Sequence, residues 1–179
     1  WNMGRIGTPK LSPDGKTLVF TITHTNITED KNYTDIYSLN TSGGTPQRLT
    51  TTTANEGQPE WLPDGSGITY LKNIDGTTQV WSLNIVSKEE KQITNITDGV
   101  DMYLISPDMK HLLYVKRVKL DQTVNDIHPD LPKANARIET DLMYRHWNAW
   151  SDNSYNHIFV TPLIPNTLCS DGLDILKDE

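Results

Sequence analysis

An all-β chain of repeated four-stranded sheets is the fold class that the sequence predicts. Three observations predict it: a turn string that occurs three times, an apolar alternation at fixed offsets after each turn, and a downstream pair of strings repeated at one shift. The turn strings are Leu11-Ser12-Pro13-Asp14-Gly15, Trp61-Leu62-Pro63-Asp64-Gly65 and Ile105-Ser106-Pro107-Asp108-Met109, with prolines 50 and then 44 positions apart. Proline presets φ, aspartate bonds nearby backbone, and glycine accepts the positive φ that follows. Met109 stands in that glycine position in the third copy.

The first strand after each turn is read from its alternation. Leu18, Ile68 and Leu112 lie four residues past the aspartate, and Phe20, Tyr70 and Tyr114 lie six past it. Residues two apart share one face of a strand. The next strand follows in Asp35-Ile36-Tyr37-Ser38-Leu39 and in Gln79-Val80-Trp81-Ser82-Leu83, 44 residues on. A short last strand follows in Arg48-Leu49-Thr50 and Gln92-Ile93-Thr94 at the same shift. Four strands in about 44 residues is the period of a propeller blade. The chain therefore reads as about three four-stranded blades of a β-propeller: blade one about 5–50, blade two about 55–97, and blade three about 100–168.

Blade three is interrupted. Its second strand ends near Lys116, and the next begins at His157-Ile158-Phe159-Val160. The partly irregular insertion, about 117–155, holds a short helix expected around Lys133–Ile138 and the string Asp141-Leu142-Met143-Tyr144-Arg145-His146-Trp147-Asn148-Ala149-Trp150. Long excursions inside compact repeats are often functional or disordered, and two Trp, one Tyr and one Met here favour an ordered segment. Three blades do not close a ring, since closed propellers have about 4–8. The chain thus reads as part of a propeller, with open outer faces that favour self-association.

Composition narrows the function. Of 179 residues, 35% are hydrophobic and 22% charged, as in an ordinary globular domain rather than a disordered chain. The net charge of −7 argues against a nucleic-acid partner. No apolar run approaches the roughly 18 residues of a membrane span. Cys169 is the single cysteine, which excludes an internal disulfide framework and a cysteine zinc site. The sequence opens at Trp1 with neither Met nor an apolar leader, so it is read as cut there. The acidic, Thr/Asn-rich composition favours a periplasmic or secreted location, with any signal upstream. Sequons at Asn26, Asn32, Asn40 and Asn95 are too near chance to assign glycosylation.

Met3-Gly4-Arg5-Ile6-Gly7-Thr8-Pro9 followed by Ser12-Pro13-Asp14-Gly15-Lys16 resembles the start of the propeller in prolyl-oligopeptidase-family serine peptidases. The Asp141–Trp147 string, with His157–Val160 after it, resembles the branch containing dipeptidyl peptidase V and acylaminoacyl peptidases. The resemblance spans the whole chain. It implies a parent hydrolase with an N-terminal propeller and a C-terminal α/β-hydrolase domain that carries Ser, Asp and His in that order. The propeller would gate entry to short peptides, and the parent would remove dipeptides or acylated residues from peptide N-termini by acyl transfer. The hydrolase domain is absent from this sequence, and so is any Gly-x-Ser-x-Gly string. The partners implied are a peptide substrate and the parent's own hydrolase domain. The alternative is a TolB-like propeller that binds a protein partner and catalyses nothing.

Within the chain no catalytic residue is assigned. Ser12 and Ser106 precede proline in repeated turns and read as structural. The five histidines, His24, His111, His128, His146 and His157, lack metal-ligand spacing, so neither a metal nor a cofactor is expected. His111 and His157 are expected at the surface or in strand pairing. Glu89-Glu90 invites comparison with the paired glutamates that hold a substrate amine in dipeptidyl peptidase IV, but it reads as a solvated hairpin tip. The candidates for the substrate cleft are Tyr144, Arg145 and Trp147. Arg145 offers a fork to a carboxylate and the two rings offer an apolar wall. The competing reading pairs Arg145 with Asp141 and packs the rings onto blade three.

Overall fold

The computed structural model describes residues 3–138, 145–146, 148–150 and 154–177. The first sheet holds β1 (Arg5–Ile6), β2 (Lys10–Leu11), β3 (Thr17–Asn26), β4 (Lys31–Asn40) and β5 (Gln47–Arg48). Its order is β1-β3-β4-β5, with β2 also paired to β3. The second holds β6 (Asn55–Trp61), β7 (Gly67–Ile74), β8 (Thr77–Asn84) and β9 (Glu90–Gln92), in sequence order. After β10 (Met102–Ile105) and β11 (His111–Lys119) come a one-turn helix α1 (Val124–Ile127) and a small hairpin of β12 (Arg145–His146) and β13 (Ala149–Trp150). Then β14 (Ser154–Pro162) and β15 (Leu173–Asp174) complete a third sheet, ordered β10-β11-β14-β15. All pairings within the sheets are antiparallel. This is the predicted all-β architecture of three blades with an insertion in the third.

The three turns share one chemistry. The bonds Gly15 N–H to Ser12 O, Gly65 N–H to Leu62 O and Met109 N–H to Ser106 O measure 2.9, 2.9 and 2.8 Å. Asp14 accepts the Lys16 amide at 3.1 Å, Asp64 that of Ser66 at 2.9 Å, and Asp108 that of Lys110 at 3.1 Å. Ser12 Oγ also donates to Asp14 and accepts the Thr17 amide, and Ser106 does the same with Asp108 and the His111 amide. Met109 takes the left-handed conformation, φ 56°, beside 72° and 71° at Gly15 and Gly65. The surrounding bonds hold it there.

Burial follows from the two faces of each strand. Gly67 through Lys72 of β7 are all buried. Ile68 and Tyr70 point one way, into a core with Val19 and Ile36 of the first sheet and Leu83. Leu71 points the other way, into a core with Val80, Tyr103, Leu112, Tyr114 and Phe159. Each sheet thus has a front, bearing Leu18/Phe20/Tyr37, Ile68/Tyr70/Trp81 or Leu112/Tyr114/Phe159, and an aliphatic back. The back of one sheet covers the front of the next.

Polar groups sit at repeated positions in this stack. Ile36 N–H and Val80 N–H each donate to a threonine hydroxyl, Thr50 and Thr94, at 2.9 Å. Lys72 reaches Glu90 at 2.8 Å while lying over Trp81, and Lys116, 44 residues on, reaches Asp171 at 2.7 Å while lying over Phe159. The second and third sheets are also strapped by backbone. After β14 the chain returns, and Thr94 and Cys169 form a parallel bridge. Cys169 N–H donates to Ile93 O and Asn95 N–H to Cys169 O, both at 2.8 Å. The first and second sheets are joined by side chains instead: Thr34 N–H to Asn55, Trp61 Nε1 to Lys10 O, and the Lys10–Glu60 pair.

Two expectations are corrected. No helix forms over Lys133–Ile138, where the side chains are exposed apart from a half-buried Ala134, so a short helix there has no apolar face to bury. The helical turn lies at Val124–Ile127, where the Asp126 carboxylate accepts from the Thr123 amide at 2.7 Å and Val124 is buried. Glu90 is not at a solvated tip: it lies in β9 and pairs with buried Lys72, while Glu89 stays in solvent near Lys91.

Two outcomes are expected. A Cβ at Gly15 meets nothing within 4 Å, so Gly15→Ala tests φ alone and should lower the unfolding free energy by about 1 kcal/mol in urea titration. Glu56 is 1% exposed, and burial pushes its carboxyl above its ordinary 4.5 despite hydroxyl donors from Thr52 and Thr50. A raised carboxyl contributes stability below its unfolded value that is lost as pH rises through the folded value. Glu56→Gln should therefore raise the melting temperature near neutral pH, with the gain vanishing toward about pH 4.

Candidate functional site

Three groups of residues have the placement a functional site needs. The first is the insertion. Its root is tied down: Lys119 pairs with Asp126, and Tyr155 Oη donates to Asp121 at 2.8 Å. Asn125 Nδ2 donates to Pro132 O at 3.2 Å, and the Arg137 guanidinium lies 5.5 Å from the centre of the Trp150 ring. Lys119 first, and then Thr123, hold the Asp126 carboxyl far below the usual carboxylate range. Above this root the insertion presents apolar side chains to solvent at Leu120, Ile127, Leu131, Ile138 and Trp150. A tethered loop with an apolar outer surface suits contact with another domain or a ligand.

Of the sequence candidates, Arg145 lies in β12, opposite Trp150 of β13. Tyr144 and Trp147 lie outside the described residues, as does Asp141, the rival partner of Arg145. The structure adds Trp150 to this group.

The second group lies along β6, an edge strand of the middle sheet. Pairing of β6 with β7 slips between Gly57 and Glu60, and Gln58 takes φ 49°, the left-handed region. Proline cannot donate to the ladder, so Pro59 forces a bulge. Gln58 is held from the third sheet: its carbonyl accepts from Tyr103 Oη at 3.1 Å, and its Nε2 donates to Asp101 O at 3.1 Å. Lys10 and Glu60 pair at 2.5 Å across to the first sheet. A groove of about 290 Å³ lies here, lined by Thr8, Lys10, Thr21, Gln58, Pro59 and Glu60. Paired charges, an amide and hydroxyls suit hydrogen bonding to a peptide. Sequence reasoning missed this site, although a proline within a strand pattern was its available signal.

The third group is a buried histidine–aspartate pair on the third sheet. His157 takes the strand-pairing place expected of it, opposite Lys116; it is 5% exposed, and its Nδ1 lies 2.8 Å from Asp174 Oδ2. Period two puts it on the same face as Phe159, toward the second sheet. Asp35–Arg48 occupies the equivalent place in the first sheet at 2.5 Å, and Gln79–Thr94 fills it in the second at 2.7 Å. The repetition marks it as part of blade packing. Among the described residues, no group of three or more His, Cys, Asp or Glu is arranged to hold a metal.

Known proteins resemble this chain along its length. The TolB beta propeller domain family matches residues 2–163. Dipeptidyl-peptidase 5 of Porphyromonas endodontalis is 36% identical over 177 residues, covering 99% of this chain and 25% of its own. Dipeptidyl-peptidase 5 of Porphyromonas gingivalis is 35% identical, covering 99% and 26%. The chain thus spans about a quarter of the length of these curated relatives. The acylaminoacyl peptidase of Pyrococcus horikoshii superposes with a TM-score of 0.66 over 93% of this chain and 24% of its own, at 14% identity, which shows a shared fold.

Burial pushes Asp171 and Asp174 up, but bonds from Lys116 and His157 outweigh it and hold both carboxyls below their ordinary 3.8. A depressed carboxyl contributes stability above its unfolded value that is lost as pH falls through the folded value. Acidification from about pH 5 to about pH 3 should lower the melting temperature, and Asp174→Asn should flatten that slope in thermal scans.

Proposed function

The chain belongs to the TolB β-propeller family, and from that premise we propose that it is the non-catalytic propeller portion of an exopeptidase-type serine peptidase. The observation that carries the proposal is the identity to dipeptidyl-peptidase 5 over 177 residues, which includes the insertion string. In this reading the parent removes dipeptides or acylated residues from peptide N-termini through a Ser-His-Asp triad on a hydrolase domain. The propeller restricts entry and lines part of the cleft. The apolar outer surface of the insertion meets the hydrolase domain, and Tyr144, Arg145 and Trp147 line the substrate side. Arg145 takes a peptide carboxylate, with Trp150 supporting the strand across from it. The blade limits of about 5–50, 55–97 and 100–168 belong to the same reading, as does self-association of the chain.

Fluorophosphonate labelling of the longer protein, with residues 1–179 as the paired control, tests the assignment. Labelling of the longer protein alone is expected. Labelling of residues 1–179 would overturn the non-catalytic reading, and no labelling of either would favour a TolB-like binding module. Arg145→Ala in the longer protein should raise KM about tenfold for short peptides with a free C-terminal carboxylate, with kcat nearly unchanged and amidated peptides unaffected. Equal losses on both substrates would remove Arg145 from carboxylate recognition.

A further inference from the structure

Aspartate is followed by glycine five times in the sequence: Asp14-Gly15, Asp64-Gly65, Asp75-Gly76, Asp98-Gly99 and Asp171-Gly172. Each such pair sets a carboxyl beside an amide nitrogen that no side chain shields, because glycine has no Cβ. When that nitrogen reaches the carboxyl carbon, a five-membered succinimide ring closes. Whether a given pair reacts depends on how firmly its two groups are held.

Four of the pairs are held. Asp14 accepts from Ser12 Oγ at 2.6 Å and from the Lys16 amide at 3.1 Å, while Gly15 N–H donates to Ser12 O at 2.9 Å. Asp64 accepts from the amide and the hydroxyl of Ser66 at 2.9 and 2.7 Å, and Gly65 N–H donates to Leu62 O at 2.9 Å. Asp171 pairs with Lys116 at 2.7 Å, and Gly172 N–H donates to Tyr114 Oη at 2.8 Å. Gly99 is buried, and its N–H donates to Ile96 O at 3.1 Å.

Asp75-Gly76 differs. These two residues are the whole loop between β7 and β8, with Ile74 paired to Thr77. Their φ angles of 51° and 85° are the two positive values that a type I′ turn requires, and Asp-Gly supplies them readily. Both residues are exposed, and the ladder closes on either side of them. Neither the Asp75 carboxyl nor the Gly76 N–H has a hydrogen-bond partner among the described residues. The space that a Cβ on Gly76 would enter is open to 4 Å, so the turn has room to move.

We propose that Asp75-Gly76 is a site of spontaneous covalent modification, at which aspartate becomes isoaspartate through a succinimide. The Gly76 nitrogen attacks the Asp75 carboxyl carbon. A C–N bond forms, a C–O bond breaks, and the oxygen leaves as water with the amide proton and the carboxyl proton. Water then adds at the main-chain carbonyl of the ring, and the original peptide bond between the two residues breaks. No atom is gained or lost overall, but the chain now runs through Cγ and is one atom longer at the turn. Loop length fixes hairpin register, so the change loosens the hairpin that places Tyr70 and Val80 in their two cores. The inference rests on this hairpin alone, not on the peptidase reading.

Peptide mapping of residues 1–179, after incubation in mildly acidic buffer below the melting temperature, reads each pair separately. Isoaspartate is scored by electron-transfer fragmentation and by methyl transfer from an isoaspartyl methyltransferase. It should accumulate at Asp75 at least about tenfold faster than at Asp14, Asp64, Asp98 or Asp171, which react only when their bonds open. In urea that preference should vanish. Asp75→Asn keeps the turn, since Asn-Gly also suits type I′, and should react faster, with ammonia leaving in place of water. Equal rates at all five pairs in native buffer overturn the proposal, as does a faster site among the other four. So does an Asp75 that stays unchanged while the chain in urea reacts, or an Asp75→Asn chain no faster than its parent.

Discussion

Tyr70 and Leu71 are neighbours in sequence, both buried, on opposite faces of one strand. A sheet that is apolar on both faces is covered only when something lies on each side. The chain meets this constraint by repetition, placing the same kind of sheet before and after the middle one. The short turns, the recurrent aromatic pair and the threonine hydroxyls that cap backbone amides all serve that stacking. Helix contributes one turn among the described residues, because a helix has no role in covering a flat face already met by another sheet.

The stacking also accounts for the buried polar groups. A sheet's short last strand leaves amides of the strand before it without ladder partners. Thr50 and Thr94 supply oxygens to the amides of Ile36 and Val80. Lys72 and Lys116 bury their stems over rings and carry the charge to a carboxylate, which avoids an unpaired ammonium in the interface. Such pairs are demanding, since removing either partner strands the other.

Much of the fold was legible in the sequence because its signals are periodic. Pro13, Pro63 and Pro107 mark turns, and the residues four and six past each aspartate mark one face. The burial of His157 and the pairing of Glu90 with buried Lys72 were not legible, since they depend on which side chains the strands bring together, and a sequence offset does not carry that. The helix was placed too late because Ala134 and Ala136 favour helix while the burial of Val124 and the Asp126 bonds at the root decide where a turn forms. At the site, Arg145 and its neighbours stood out as an unusual string. The bulge at Gln58 escaped notice because a single proline is a quiet signal beside three repeated turns.

The strap from Cys169 onto Ile93 and Asn95 bears on how the chain comes apart. It adds backbone bonds between the second and third sheets, whereas the first sheet meets the second through side chains. Displacing Cys169 therefore frees the Asn95 amide and the Ile93 carbonyl beside the second sheet. The last described segment is thus stitched to the middle sheet by main chain, while side chains and the apolar core of Val19, Ile36, Ile68, Tyr70 and Leu83 join the first sheet to it.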